Sequence, residues 1–188
     1  MNRYTENLKP KTLFYIFSLL FLISFSGCNG CDKDSNPVSP GEGNPFAVQV
    51  ISANIGCEGI NLYTNPEAAL WGPDWNYLPD GRYSGFVSLG PAGDIVIKMG
   101  VDVVDGPGPD IAVYQAVSDE ETGVYVTDNL STPFQFLGSE RCGYLCRFDL
   151  NGSGFQKVRY VMVKDMGDSD CYETAGADID AVEALNYK

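Results

Sequence analysis

The sequence predicts an all-β domain, an antiparallel β-sandwich or jelly roll of about eight strands. Short apolar runs rich in β-branched and aromatic residues follow one another through residues 46–188. Turn-forming strings separate these runs, among them Gly90-Pro91-Ala92-Gly93 and Asn151-Gly152-Ser153-Gly154. Gly, Pro and Asn favour tight reversals, so the runs predict short strands joined by turns and stacked in two layers.

Eight segments have the composition of strands, because each combines apolar with β-branched or aromatic residues between turn-forming neighbours. In chain order they are residues 47–52, 85–89, 94–99, 111–116, 124–127, 134–137, 158–164 and 178–185. Residues 65–70 predict the single helical turn of the chain, since Pro66 suits the first position of a helix.

The N-terminus predicts an export signal. Cationic residues precede an apolar stretch at 13–25, which is too short to span about 30 Å of hydrocarbon as a helix. The string Phe25-Ser26-Gly27-Cys28 follows and resembles a bacterial lipoprotein signal, with Phe25 where that motif usually has Leu. The resemblance implies cleavage after residue 27 and a diacylglycerol on Cys28. The alternatives are a plain secretory leader, with Cys28 an ordinary thiol, and an uncleaved apolar N-terminus.

Composition divides the rest of the chain. Residues 28–45 are mainly Asp, Asn, Ser, Gly and Pro, which bury too little surface to offset their ordering entropy, so they predict a flexible tether. Residues 46–188 have the size of one domain. The predicted organisation is therefore a signal peptide at 1–27, a tether at 28–45 and a β-sandwich at 46–188.

Net charge excludes several partners. The chain carries a formal charge of −13, and its predicted leader holds some of the few basic residues. Such a chain repels nucleic acid phosphates and anionic headgroups, so we expect no nucleic acid partner and membrane association through the lipid anchor alone. An acidic surface is compatible with divalent cations, with neutral ligands such as glycans, and with solubility alone.

Five motifs follow one another through most of the domain. They are residues 66–74 (PEAALWGPD), 86–90 (FVSLG), 105–114 (DGPGPDIAVY), 158–165 (VRYVMVKD) and 176–182 (GADIDAV). Together they resemble bacterial cell-surface proteins with a discoidin-like, galactose-binding-like β-sandwich. The resemblance implies a binding role and no reaction.

Four aspartates are the candidate metal ligands. Asp105 and Asp110 bound a Gly-Pro-Gly-Pro loop, and Asp178 and Asp180 are two apart on the last predicted strand, about 7 Å along one face. Calcium takes about six to eight oxygen ligands, and carboxylates and free carbonyls supply them. These residues therefore predict a bound calcium ion. The alternatives are that Asp110 caps a turn and that Asp178 and Asp180 form a solvated strand edge.

Aromatic residues supply a second binding chemistry. Trp71, Asp74, Trp75 and Tyr77 lie in one Gly- and Pro-rich loop, where exposed rings could stack on a sugar or contact a protein. The alternative is packing, and we expect at least one of the two Trp side chains to be buried. The four residues are the predicted ligand-binding site.

Cysteines indicate an oxidising compartment. Cys57, Cys142, Cys146 and Cys171 can form two disulfides with three possible connectivities. Cys142–Cys146 with Cys57–Cys171 is favoured. A zinc site is the weaker interpretation, because the chain has no His and its Cys spacings do not match paired zinc knuckles.

The absence of His also removes the usual base of Ser or Cys hydrolases. We therefore predict no enzymatic activity. The predicted function is that of a cell-envelope lipoprotein, at the outer membrane or cell surface, which binds a glycan or another surface macromolecule. The alternatives are a structural or adhesive surface protein without a small ligand, and a glycoside hydrolase that uses two carboxylates.

Overall fold

The computed structural model describes residues 43–57, 59–116, 120–167, 170–171 and 175–188. The predicted leader, most of the predicted tether and the predicted lipid-attachment residue Cys28 lie outside these ranges. In the part of the chain that the structure describes, we find no helix with the length and apolar character needed to cross a membrane.

The described residues form eleven strands and one 3-10 helix. The strands are β1 (Ala47–Asn54), β2 (Asn76–Tyr77), β3 (Tyr83–Ser84), β4 (Val87–Ser88), β5 (Asp94–Val104), β6 (Ile111–Gln115), β7 (Glu121–Thr127), β8 (Gln135–Arg141), β9 (Leu145–Phe148), β10 (Lys157–Asp165) and β11 (Asp178–Ala184). The 3-10 helix, Pro66–Ala69, is the predicted helical turn, with Pro66 in its first turn.

Two larger sheets contain most of the strands. One has five strands in the order β1-β5-β10-β7-β8, and the other has four in the order β4-β11-β6-β9. The pair β2-β3 stands apart. Every strand pairing in these sheets is antiparallel.

A single apolar core lies between the two larger sheets. Ile97 and Val124 from the five-stranded sheet join Val113 and Ile179 from the four-stranded sheet in one cluster of fully buried side chains. Apolar side chains from strands of both larger sheets supply the inner faces. The structure confirms the predicted all-β, antiparallel β-sandwich.

All eight predicted segments contain a strand, and three strands were not predicted. β2 and β3 have two residues each, too few to show an alternating pattern. β9 contains Cys146 and Arg147 between apolar residues, and its inward side chains are recognisable only from its pairing with β6. β5 is also longer than predicted, because it continues through Gly100 to Val104.

Gly90 lies where three backbone segments meet. Its N–H donates to the carbonyl of Ala175 at 2.8 Å, and Gly56 N–H donates to the carbonyl of Leu89 at 2.7 Å. Gly90 has φ +72°, and a Cβ there would lie 2.6 Å from the carbonyl oxygen of Gly56. The disulfide Cys57–Cys171 attaches Cys171 to the residue that follows Gly56.

Candidate functional site

The loop that carries the predicted ligand-binding residues begins at the end of the 3-10 helix. The Asn65 side chain accepts the N–H of Glu67 at 3.2 Å and so caps the start of that helix. Trp71 then adopts φ +72°, and its N–H donates to the carbonyl of Ala47 in β1 at 2.9 Å. This reversal directs the following residues over the four-stranded sheet.

Asp180 of β11 holds the middle of the loop. Its Oδ1 accepts the backbone N–H of Asp74 at 2.9 Å and that of Trp75 at 3.3 Å. The side chain is 1% exposed. Burial raises the pKa of Asp180 and the nearby Asp74 charge acts in the same direction, against the two N–H donors. A buried carboxylate on a central strand therefore positions this surface loop.

Both Trp side chains of the loop are exposed, Trp71 by 44% and Trp75 by 38%. The expectation that at least one of them is buried is therefore wrong. The two-layer core is filled mainly by aliphatic residues, and the loop is bound to the sandwich through backbone hydrogen bonds to Ala47 and Asp180. Asp74 is also exposed.

The Trp75 ring lies next to the ring of Tyr144, which is distant in sequence. The two rings are parallel within 4°, with centroids 6.3 Å apart. Tyr144 precedes β9, the edge strand of the four-stranded sheet, so the loop crosses this sheet from β11 to β9. Sequence reasoning missed Tyr144, because no local signal distinguishes it from other exposed tyrosines.

Tyr77 belongs to a neighbouring group of rings. It pairs with Tyr83 across β2 and β3, and the two ring centroids are 5.2 Å apart. Tyr83 in turn contacts Phe86, which is buried. The Tyr77 side chain itself is exposed. We call Trp71, Asp74, Trp75 and Tyr77 the aromatic surface.

The four predicted metal ligands do not come together. β11 runs antiparallel to β6, with Ala184 opposite Ile111 at one end and Asp178 beside Ala116 at the other. Asp110, which precedes β6, is therefore separated from Asp178 by the length of β11, about 20 Å at about 3.3 Å per residue. One ion cannot bind all four carboxylates, so a single shared site is wrong.

Asp105 and Asp110 instead lie near Asp149, and oxygen atoms of the three carboxylates are within 4.8 Å of one another. Such a group could hold a cation. Asp110 is fully buried, however, and its Oδ1 accepts from Gly106 N and Asn186 Nδ2 while its Oδ2 accepts from Leu150 N. These bonds leave Asp110 little capacity for a metal, so the residues fit a weakly held cation better than a closed calcium site.

Asp178 and Asp180 are buried within the four-stranded sheet, because β11 lies between β4 and β6. The alternative that they form a solvated strand edge is therefore wrong. Ser88 Oγ donates to Asp178. Burial raises the pKa of Asp178 to about 7, while the Ser88 hydrogen bond lowers it. Each of the two carboxylates has a partner inside the protein.

The two disulfides are Cys57–Cys171 and Cys142–Cys146, the connectivity that the sequence analysis favoured. The second closes a five-residue loop with Tyr144 at its middle. A depression of about 480 Å³ is lined by Ala53, Ile55, Gly59, Asn61 and Thr64. None of these five lining residues has a titratable side chain.

Comparison with known proteins finds distant similarities to solved structures. No family model and no curated protein matches this chain. One similar solved structure is described as "CBM32 of AlyQ in complex with 4,5-unsaturated mannuronic acid", with TM-score 0.42, 11% identity, and coverage of 74% of this chain and 98% of that one. Another is the "X-ray structure of GH31 CBM32-2 bound to GalNAc", with TM-score 0.42, 8% identity, and coverage of 72% and 95%. Because both similarities are weak, the function proposed below depends on the geometry of this chain alone.

Proposed function

We propose that this chain is a non-catalytic binding protein of the cell envelope and that it binds neutral saccharides on the aromatic surface. The observation that supports this most is the placement of two exposed Trp rings and one exposed carboxylate on a loop held by buried Asp180. Aromatic rings stack on the apolar face of a sugar, and a carboxylate accepts hydrogen bonds from its hydroxyl groups.

Charge selects the class of saccharide. The chain carries a formal charge of −13, and Asp74 contributes a negative charge within the surface itself. Uronic acids and sulfated glycans would be repelled, whereas uncharged sugars would not. Neutral glycans are therefore the preferred ligands, and a surface protein is the alternative partner.

The carboxylates at the aromatic surface are poorly placed for hydrolysis of a glycosidic bond. A glycosidase uses two carboxyl groups, one of them with a raised pKa. Asp180, whose pKa is raised, and exposed Asp74 next to it would form such a pair. The Asp180 side chain is 1% exposed, however, and its Oδ1 already accepts two backbone N–H groups. A sugar on the surface would not reach it, so we propose binding without hydrolysis.

The test uses the detergent-solubilised full chain on an array of neutral and acidic glycans. We expect neutral glycans to be bound, Trp71→Ala and Trp75→Ala each to reduce binding about tenfold, and Tyr187→Ala to leave it unchanged as a control. Tyr187 is an exposed ring beside Val103 in the five-stranded sheet. Absence of binding to every glycan would favour a structural or adhesive role, and release of reducing ends would favour the hydrolase.

We also propose that the protein is exported and attached to the membrane through a lipid on Cys28, at the outer membrane or cell surface. The supporting feature is the order of cationic residues, apolar stretch and Phe25-Ser26-Gly27-Cys28. Metabolic labelling with an alkynyl fatty acid is expected to label the wild-type chain and to be lost in Cys28→Ser. Equal labelling of the two chains would contradict lipid attachment at this residue.

Calcium binding stays a prediction, now confined to Asp105, Asp110 and Asp149. Calorimetric titration of the EDTA-treated protein with calcium chloride tests it directly. A ligand that binds the folded state raises the melting temperature, so calcium should do so in the wild type and less in Asp149→Asn. No heat and no change in melting temperature would remove calcium from the proposed function.

A further inference from the structure

Tyr144 is the most exposed of the rings beside the loop, at 64%. Isolated exposed aromatic side chains are common and need no explanation. Tyr144 is not isolated, because its ring lies parallel to the exposed ring of Trp75. Each of these two exposed rings has an apolar face on which a sugar can stack.

The backbone on both sides of Tyr144 is fixed. The disulfide Cys142–Cys146 closes the loop, with the two Cα atoms 5.5 Å apart. Cys146 is fully buried and pairs with Val113 of β6. The carbonyl of Tyr144 also accepts the N–H of Gln115 at 3.0 Å. A position held in this way loses little conformational freedom when a ligand binds.

We propose that Tyr144 is a further saccharide-binding residue, and that the Trp75–Tyr144 pair binds an oligosaccharide of two or more neutral sugar units. This inference depends on the proposed function, because it extends the same surface. The two rings are parallel with their centroids 6.3 Å apart, and the proposal assigns one sugar unit to each ring. A single sugar would occupy one of them, whereas a longer glycan would occupy both.

The test compares neutral monosaccharides with disaccharides and tetrasaccharides of galactose, glucose and mannose, each titrated into the detergent-solubilised full chain. We expect Tyr144→Ala to weaken oligosaccharide binding about tenfold and to change monosaccharide binding less than twofold. Tyr144→Phe keeps the ring and should bind like the wild type. Tyr187→Ala is the matched control, and the melting temperatures of all variants show whether folding is affected.

Each failure has a distinct meaning. If the wild type binds none of these sugars, the proposed function is wrong and this inference with it. If Trp75→Ala abolishes binding and Tyr144→Ala leaves all affinities unchanged, the inference alone is wrong. Equal losses for monosaccharides and oligosaccharides in Tyr144→Ala would overturn the two-position arrangement, and a Tyr144→Phe variant as weak as Tyr144→Ala would overturn stacking by the ring.

Discussion

The Oδ1 atom of Asp180 accepts the backbone N–H of Trp75 at 3.3 Å, and this bond links a buried strand to an exposed aromatic side chain. The same oxygen accepts the N–H of Asp74, so one carboxylate satisfies two adjacent donors. A surface that binds through rigid rings needs such a support, because ordering a mobile loop on binding would reduce affinity. Asp180 is therefore a positioning residue of the proposed site.

We expect Asp180→Ala to lower both stability and glycan affinity. The change removes the acceptor of two N–H groups, and each donor left without a partner costs roughly 1–3 kcal/mol if it stays buried. Urea unfolding measures the stability, and acrylamide quenching measures the solvent access of the Trp residues. Asp180→Asn keeps an acceptor oxygen and removes a buried charge, so it should bind glycan more tightly than Asp180→Ala. Equal affinity of Asp180→Ala and the wild type would contradict the positioning role.

Replacing Gly90 by Ala should destabilise the fold more than the same change at Gly108. Both residues have positive φ, which costs an Ala side chain about 1–2 kcal/mol. Only Gly90 has backbone in the way, since its Cβ would lie 2.6 Å from the Gly56 carbonyl oxygen, while nothing lies within 4 Å of a Cβ at Gly108. Thermal unfolding of the two variants gives the difference, and equal melting temperatures would show that the crossing at Gly90 can relax.

Asp102 should contribute stability that is lost in acid. Hydrogen bonds from Lys157 and Arg159, at 2.7 and 2.6 Å, lower the pKa of Asp102 below 3.8 against the opposing effect of burial. Because the folded-state pKa is the lower one, the contribution is present above about pH 4 and disappears as the pH falls through the folded value.

We expect Asp102→Asn to lower the free energy of unfolding by about 1 kcal/mol at pH 7 and by progressively less below pH 4. Urea unfolding at several pH values measures this. Asp80→Asn is the control, because Asp80 pairs with Arg82 on the exposed surface and only two residues away. A loss for Asp102→Asn that stays constant down to the lowest pH would show that charge is not its cause.

Tyr114 should titrate at unusually high pH. Its hydroxyl donates to Glu183 Oε2 at 2.6 Å, and this bond together with burial and the Glu183 charge raises the pKa of Tyr114 to about 12. The folded-state pKa lies above the ordinary value of 10.0, so the stability that this proton provides is complete below pH 10 and is lost as the pH rises towards 12.

Absorbance at alkaline pH, which follows tyrosinate, should therefore lose its latest-titrating component in Tyr114→Phe. The Phe variant should also be less stable at pH 8, by about 1–2 kcal/mol, because it leaves Glu183 without its donor. Identical alkaline titration of the two proteins would contradict the assignment of the late component to Tyr114.

Local sequence patterns predicted most of the strands. The segment around Val161 and the segment around Val113 show the β-branched and aromatic composition of strands, and turn-forming residues bound them. The two Trp residues were recognisable as possible ligand contacts because they lie together in a Gly- and Pro-rich loop. Their exposure was not predictable, since an exposed Trp and a core Trp have the same sequence signal.

Strand order and register determine which distant residues lie together, and the sequence did not indicate this. The order β4-β11-β6-β9 places Tyr144 beside Trp75, and it also separates Asp110 from Asp178 by the length of β11. It turns Asp180 from a candidate metal ligand into a support of the aromatic loop.

The sequence by itself therefore determined the all-β class, the positions of the main strands and the loop that carries the aromatic residues. These features follow from short-range alternation and turn chemistry, which act within a few residues. Only the tertiary structure decided which distant side chains meet, including Trp75 with Tyr144 and Asp180 with the loop. The reason is that such contacts depend on long-range strand pairing, and local sequence patterns do not specify which strands pair.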